Sequence, residues 1–259
     1  MGAIIRTEYA YRTIGNIDLI MHCFHCDDRR QQAGSPPSPA IVFFFGGGWV
    51  KGTPKQFFPH AEHFAGKGFI ACCAEYRIQR KHGTTPFDSM EDARSAIRWI
   101  RQNSALMGAD PARVIAAGGS AGGHLAACAA ILNRDDKQAI PDALLLFNPV
   151  VDTTERGYGA HLMNGREREA SPAHHVAEGL PPTLIMHGTA DRTVPFENAQ
   201  RFANLMQQHG NICKLVAYEG QTHGFFNYRP EGNPYYDATL QQCERFLQDI
   251  GIAFGHASP

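Results

Sequence analysis

The segment Val114–Ala127, VIAAGGSAGGHLAA, holds a single hydroxyl group, that of Ser120, among alanines and glycines. An apolar run precedes the serine and a helical pattern follows it, which predicts a strand that turns sharply into a helix. Such a turn needs very small residues two before and two after the serine, and these are Gly118 and Gly122. The strained turn lifts the hydroxyl clear of the sheet and directs the Ala121 amide at whatever that hydroxyl attacks. The pattern therefore predicts a nucleophilic serine.

Two other interpretations of this glycine-rich turn are a close helix–strand contact and a phosphate-binding loop. A phosphate loop requires Gly-Lys-Ser or Gly-Lys-Thr, and no lysine lies in the segment. The tight-packing interpretation stays open on this motif alone, so the rest of the chain has to supply the partners that a serine nucleophile needs.

Apolar runs alternate with helical patterns from residue 40 onward. The runs are nearly continuous in apolar residues, as is typical of parallel strands buried on both faces, and they cover residues 40–45, 69–76, 112–118, 143–148, 183–188 and 213–220. The alternation predicts an α/β fold with a mostly parallel, doubly wound sheet and helices on both faces. We expect an antiparallel lead-in of two strands in the first 30 residues, an excursion over the sheet at 150–180, and one domain over residues 1–259.

A serine hydroxyl needs a positioned base and a third group that orients the base. On this fold the chain order is serine, acid, histidine, with each at the carboxyl end of a strand. That order reduces the 13 histidines to three, and of these His209 ends a helical pattern and His256 lies in the C-terminal tail. His223, in EGQTHGFF after the strand at 213–220, is therefore the predicted base.

The predicted acid is Asp191, which follows the strand at 183–188 in the loop HGTADRTVP. Asp152 also follows a strand end and is the reserve candidate. Acyl transfer further needs amide donors for the oxyanion, and FFFGGGWVKG supplies three successive glycines, residues 46–48, after the first parallel strand.

With these residues the chain resembles the α/β-hydrolase superfamily over nearly its whole length. It is most similar to the hormone-sensitive-lipase-like esterases and acetyl esterases, which carry an HGGG-W or HGGG-F loop and a GxSAGG elbow. The motifs that carry the resemblance are GGSAGGHLAA, HGTADRTVP and THGF. The resemblance implies a nucleophile, acid and base at Ser120, Asp191 and His223. It implies an oxyanion hole from the amides of Gly47, Gly48 and Ala121.

Two departures from the family pattern carry consequences. Phe45 stands where the family usually has a histidine, so a side chain that braces the loop by hydrogen bonding is replaced by one that packs. Only about 40 residues precede the glycine loop, which indicates little or no cap and hence few walls for a long acyl chain. We therefore expect a short-chain acyl or acetyl esterase. Trp49 is the candidate substrate-binding residue, with helix packing as the alternative.

Three alternatives to an esterase remain: an aryl formamidase, a hydrolase resembling the peptidase domain of prolyl oligopeptidases, and a non-catalytic receptor for a small ligand. Peptidase relatives carry a propeller, for which 259 residues leave no room, and receptors lose a triad member. The expected partner is a small-molecule ester.

Composition limits the other partners. The net charge of −1 and the lack of a long basic run argue against nucleic acid and anionic membranes. No apolar stretch reaches the roughly 20 residues of a membrane span, and the N-terminus lacks a signal-peptide core, so we expect a cytoplasmic protein, or a secreted one if a leader was removed. The seven cysteines do not suggest a disulfide framework, and Cys23-x-x-Cys26 lacks the second ligand pair of a zinc site. No metal or cofactor is predicted.

Overall fold

The computed structural model describes residues 2–27, 36–132 and 134–252, and its strands form one eight-stranded sheet of order β1-β2-β4-β3-β5-β6-β7-β8. The strands are β1 Ile4–Ile14, β2 Ile17–Cys26, β3 Ser38–Phe44, β4 Ile70–Ala74, β5 Ala109–Gly119, β6 Ala143–Phe147, β7 Thr183–Gly188 and β8 Cys213–Tyr218.

The six predicted strands correspond to β3–β8, and the lead-in hairpin is β1 and β2. β1 pairs with β2, and β2 with β4, in antiparallel register, whereas the pairs from β4 to β8 are parallel. Every residue of β3, β4, β6 and β7 is buried, which explains their continuous apolar sequences. Parallel strands place their carboxyl ends at one edge of the sheet, so the loops after β3, β5, β6, β7 and β8 meet there.

Five longer helices cover the sheet: α1 Phe58–Gly66, α2 Pro86–Gln102, α3 Ala121–Ile131, α4 Phe196–Gln208 and α5 Pro234–Asp249. Helices α1 and α5 contact each other through His63 and Glu244, while α2 and α3 pack together on β5. Shorter helical segments are Pro54–Phe57, Gln79–His82, Ser104–Met107, Lys137–Ala139, Ala160–Leu162, Glu167–Ala170 and Pro172–His174. These contacts agree with the predicted α/β-hydrolase class, a mostly parallel sheet layered with helices.

The segment between β6 and β7, residues 148–182, contains no strand and only short helical turns, as the sequence predicts for 150–180. It is tied to α3 by His124, whose Nε2 lies 2.7 Å from the carbonyl oxygen of Ala170. It is also fastened internally, since the Thr153 hydroxyl donates to the Glu167 carbonyl at 2.6 Å. This segment begins at the carboxyl end of β6 and so lies beside the carboxyl edge of the sheet.

The cysteines of the described ranges are all free thiols. Cys23 is buried opposite Cys72 across the β2–β4 pair, while Cys26 is partly exposed, so the two cysteines of the C-x-x-C motif differ in environment. Among residues 2–27, 36–132 and 134–252, no group of three or more His, Cys, Asp or Glu side chains is arranged to hold a metal ion. No helix in those ranges is both long and apolar enough to cross a membrane.

Candidate active site

Ser120 stands on a sharp turn between β5 and α3. Its backbone has φ +55° and ψ −119°, a conformation that a non-glycine residue seldom adopts and that is found at functional sites. The turn is fixed from two sides, because the Ser120 amide donates to the Phe147 carbonyl at 2.9 Å and the Val150 amide donates to the Ser120 carbonyl at 3.2 Å. The serine follows β5 at the carboxyl edge of the sheet, and it is largely buried there, with 9% of its surface exposed.

The two glycines that flank the serine are required by space. A Cβ on Gly118 would lie 2.8 Å from the Gly123 nitrogen and closer still to the Gly122 carbonyl. A Cβ on Gly122 would overlap the carbonyl oxygens of Phe44 and Phe45. Helix α3 therefore starts in direct contact with the backbone of β3 and β5, which is possible only without side chains.

The three residues of the predicted triad lie in one line of contacts. His223 Nε2 is 3.0 Å from Ser120 Oγ, and His223 Nδ1 is 2.7 Å from Asp191 Oδ2. The carboxylate accepts from Nδ1–H, which leaves Nε2 as the acceptor for the serine hydroxyl. His256, one of the histidines considered from the sequence, lies outside the described residues.

The Asp191 carboxylate is almost fully buried and surrounded by donors. Oδ1 accepts from the amides of Thr193 and Val194 at 2.8 and 3.0 Å, and Oδ2 faces His187 Nε2 at 3.2 Å in addition to His223. Burial opposes ionisation, but the hydrogen bonds from His187, His223 and the Val194 amide outweigh it and hold the pKa of Asp191 well below its usual range. The group is thus kept as a carboxylate beside the histidine.

Asp152, the reserve candidate, occupies a different environment. Its Oδ1 accepts from the Thr154 amide and hydroxyl at 2.9 and 2.7 Å, and Oδ2 pairs with Arg201. Burial raises the pKa of Asp152, but these partners lower it below the usual value overall. Asp152 therefore fastens the segment after β6 to α4, and it is Asp191 that contacts His223.

The glycine loop after β3 lies against the serine. A Cβ on Gly46 would be 3.4 Å from Ser120 Cβ, so this backbone approaches the nucleophile directly. The Gly46 amide is already engaged, since it donates to Gln56 Oε1 at 2.7 Å. Gly47 and Gly48, at φ +131° and +64°, continue the loop in conformations that favour glycine. The predicted oxyanion donors, the amides of Gly47, Gly48 and Ala121, stay a prediction.

The consequence of Phe45 is visible in its neighbours. The Phe45 ring stacks on Tyr76 with centroids 4.0 Å apart, and the Tyr76 hydroxyl donates to the Phe45 carbonyl at 2.7 Å. Tyr76, which lies just after β4, therefore braces the loop by a hydrogen bond in place of the family's histidine. Gln56 adds a second brace, because its Nε2 donates to Asn227 Oδ1 at 2.9 Å and so links the glycine loop to the loop of His223.

Trp49 is 1% exposed, which is far more buried than a residue that faces a bulk cleft. Its ring meets His124 edge to face at a centroid distance of 4.9 Å, and a Cβ on Gly159 would lie 2.6 Å from it. Trp49 also lines a cavity of about 90 Å³, whose other lining residues are Val50, Gln79, Thr84, Thr85, Pro86, His161, Leu162 and Asn164. These contacts give Trp49 the packing role that was its alternative, and substrate binding by Trp49 stays a prediction.

Sequence reasoning passed over several residues of this site. The sequence analysis gives His187 no role in the site, yet its Nε2 lies 3.2 Å from Asp191 Oδ2. Asn148 is absent from the predictions although its side chain lies 3.5 Å from His223 Nε2. Tyr158 is likewise absent, and its hydroxyl lies 2.8 Å from where a Cβ on Gly48 would stand. One signal was available: Asn148 directly follows a strand, at the edge where ligands bind on such folds.

Comparison with known proteins gives concordant matches. The BD-FAE family model matches residues 29–162, just over half of the chain. Esterase 2 of Thermogutta terrifontis, phosphoramylated by tabun, is 40% identical over 97% of both chains with a TM-score of 0.88. The butyrate-bound form of that esterase is 40% identical over 95% of both chains with a TM-score of 0.86.

Curated relatives include a probable isoprenylcysteine alpha-carbonyl methylesterase of Oryza sativa, which is 29% identical over 68% of this chain and 49% of its own length. The chain spans about half the length of the curated relatives it matches. The chain therefore belongs to the BD-FAE family, and it shares the α/β-hydrolase fold of the esterases to which it is similar.

Proposed function

We propose that the protein is a serine carboxylesterase that hydrolyses small esters of short-chain acids through an acyl-enzyme on Ser120. The observation that carries this proposal is the run of contacts Ser120 Oγ–His223 Nε2–Asp191, at 3.0 and 2.7 Å. It is supported by the strained backbone of the serine and by the glycine loop that approaches it. The presence of Ser120, His223 and Asp191 in mutual contact argues against a receptor, because receptors on this fold lose a triad member.

In the acylation step, Ser120 Oγ attacks the ester carbonyl carbon while its proton passes to His223 Nε2. The negative charge that develops on the carbonyl oxygen is stabilised by the amides of Gly47, Gly48 and Ala121. Asp191 keeps the proton on Nδ1 and stabilises the imidazolium that forms. When the carbon–oxygen bond to the alcohol breaks, Nε2 returns the proton to the leaving oxygen. Water then repeats the sequence in the acyl-enzyme, and the acid leaves.

The acyl preference is argued from what covers the site. Between β6 and β7 the described chain has only short helical turns, and Trp49 is packed between His124 and Gly159. An acyl chain gains about 0.8 kcal/mol per buried methylene only where walls exist to bury it. The butyrate complex of the Thermogutta esterase, a protein 40% identical in sequence, also favours a short acid. The proposed substrates are therefore esters of acetic to butyric acid.

The test is a series of nitrophenyl esters below their micelle concentrations, run beside acetylated sugars and N-formylkynurenine. We expect kcat/KM to peak at about two to four acyl carbons and to fall steeply by about eight, because added methylenes find no wall. Rates that rise through the decanoate would contradict the short-acyl assignment. A preference for N-formylkynurenine over every ester would identify the enzyme as an aryl formamidase.

A further inference from the structure

Asn148 is placed beside the reacting groups by the order of the strands. It follows β6, and β6 is the neighbour of β5, which carries Ser120 at its end. The glycine loop follows β3, the neighbour of β5 on the opposite side. Ser120 is thus flanked by the oxyanion donors on one side and by Asn148 on the other.

The backbone of Asn148 is held in an uncommon conformation. Its φ is +34°, and the residue is 1% exposed. Its amide donates to the Met186 carbonyl at 2.7 Å, and the adjacent Phe147 carbonyl accepts from the Ser120 amide. A positive φ at a buried non-glycine residue is unfavourable, so the surrounding contacts must maintain it. Backbone strain of this kind is common at functional sites.

Hydrogen bonds define the orientation of the Asn148 carboxamide. Oδ1 accepts from the Gly224 amide at 3.2 Å, so Nδ2 is the atom that lies 3.5 Å from His223 Nε2. Nε2 has one lone pair, and the Ser120 hydroxyl already donates to it from 3.0 Å. Nδ2 therefore has an N–H group close to His223 Nε2. In the free enzyme Nε2 has no second lone pair with which to accept it.

The acyl-enzyme changes this arrangement. Ser120 Oγ is then bonded to the acyl carbon and has no proton to donate, so Nε2 must accept a proton from the attacking water. A water that donates to Nε2 lies within reach of an amide only 3.5 Å from that nitrogen. The water oxygen can accept from Nδ2 with one lone pair and attack the acyl carbon with the other.

We propose that Asn148 positions the hydrolytic water of the acyl-enzyme, a role that rests on the proposed function. In this step one water proton passes to His223 Nε2, and the water oxygen bonds to the acyl carbon. The carbon–Oγ bond then breaks, and Nε2 returns the proton to Ser120 Oγ. Nδ2 donates to the water oxygen and exchanges no proton. Acylation does not use this donor, because the serine hydroxyl is the nucleophile there.

Two variants separate this role from an anchoring role. Asn148→Asp tolerates the backbone conformation and keeps an acceptor for Gly224, but it replaces the Nδ2 donor with an oxygen. Asn148→Gly suits the positive φ and removes both groups. If the asparagine were merely structural, the aspartate would not slow deacylation relative to acylation, since the Gly224 contact survives and the added charge acts on His223 in both steps.

The experiment is stopped-flow release of nitrophenol from nitrophenyl butyrate, with intact-mass spectrometry of the protein during turnover. In Asn148→Asp we expect a burst near one equivalent, a burst rate within about threefold of the wild type, and a steady-state rate lowered about tenfold or more. A butyryl adduct accumulates on Ser120. Asn148→Gly shows the same accumulation, and thermal melts establish that both variants fold.

Two results would overturn the proposal. If Asn148→Asp turns over like the wild type, the side chain only anchors Gly224. If burst and steady-state rates fall together, it positions His223 rather than water. Failure of the proposed function is a separate result, because a wild-type protein that shows neither turnover nor an adduct on Ser120 is no esterase.

Discussion

Asp191, the proposed acid, has surroundings that select for a carboxylate. Its two oxygens face the amides of Thr193 and Val194 and the rings of His187 and His223. All four neighbours present N–H groups, which is an environment that only an acceptor-only side chain satisfies.

Asp191→Asn is expected to lower kcat by roughly 10⁴, because an amide NH₂ facing Nδ1 favours the wrong tautomer of His223. Asp152→Asn is the matched control, since Asp152 is a buried carboxylate at a neighbouring strand end but pairs with Arg201. We expect little change in its kcat. Steady-state kinetics with nitrophenyl butyrate measure both variants, and a reversal of the two effects would transfer the acid role to Asp152.

The site residues that the sequence predicts lie at recognisable places in the chain, whereas those that it misses do not. Ser120, Asp191 and His223 follow strands, so chain order and strand position predict that they meet, and their side chains are in contact at 3.0 and 2.7 Å. His187 lies inside β7, and the apolar run around it gives no sign of its contact with Asp191. The position of the Asn148 side chain depends on its positive φ and on partners about 75 residues away. Neither can be predicted from the neighbouring sequence.

At the scale of elements, the turn from β5 into α3 depends on the absence of side chains. Gly118→Ala would drive a methyl group into the backbone of Gly122, where neither strand nor helix can move without breaking its pairing. We expect loss of several kcal/mol of stability, at the upper end of what overpacking and backbone strain cause, and loss of activity with it. Urea unfolding and esterase assays measure the two effects.

Gly66→Ala, at the end of α1, is the matched control for that substitution. No atom lies within 4 Å of where its Cβ would stand, so the variant should be neutral or more stable by about 0.4–1 kcal/mol. Equal stability of Gly118→Ala and Gly66→Ala would contradict the account of the turn.

The sequence predicts the bounds of a strand well where the whole strand is buried, because its apolar residues then form a continuous run. The predicted run at 183–188 coincides with β7, whereas the run at 112–118 captures only part of β5, which begins at Ala109. The extra residues at this end, 109–111, include a proline and an aspartate, because that end of β5 pairs only with the start of β3 and stays partly exposed. Apolar periodicity does not reveal strand ends that are paired but not buried.

At the scale of the whole molecule, two buried histidines make stability dependent on pH. His60 lies among aromatic rings with neither ring nitrogen hydrogen-bonded within the described chain, and burial, with the nearby His63 charge, lowers its pKa to about 3. Burial lowers the pKa of His124 to about 4, against the opposing hydrogen bond to Ala170. Both must stay neutral in the folded state.

An unfolded histidine has a pKa near 6.5, so between about pH 6.5 and 4 the unfolded chain binds protons that the folded protein does not. Stability is therefore full above this window and falls as pH is lowered through it, by about 1.4 kcal/mol per pH unit for each histidine. We expect His60→Leu to flatten the dependence by about one such contribution, as measured by urea unfolding between pH 5 and 7.

His209→Gln, a change at an exposed histidine after α4, is the control for that measurement and should leave the slope as it is. A His60→Leu variant with the wild-type slope would mean that His60 is protonated in the folded protein, contrary to its burial among aromatic rings.

A nucleophilic Ser120 should be captured covalently by a reagent that stops at the first step of the reaction. The protein is incubated with paraoxon, a phosphorylating analogue of the ester, and the modified peptide is mapped by mass spectrometry beside a Ser120→Ala variant of unchanged melting temperature. We expect one diethylphosphoryl group per chain, on Ser120, with activity lost in proportion, and neither adduct nor turnover in Ser120→Ala. An adduct on another residue, or near-normal esterase activity in the folded Ser120→Ala variant, would contradict the role of Ser120 as nucleophile.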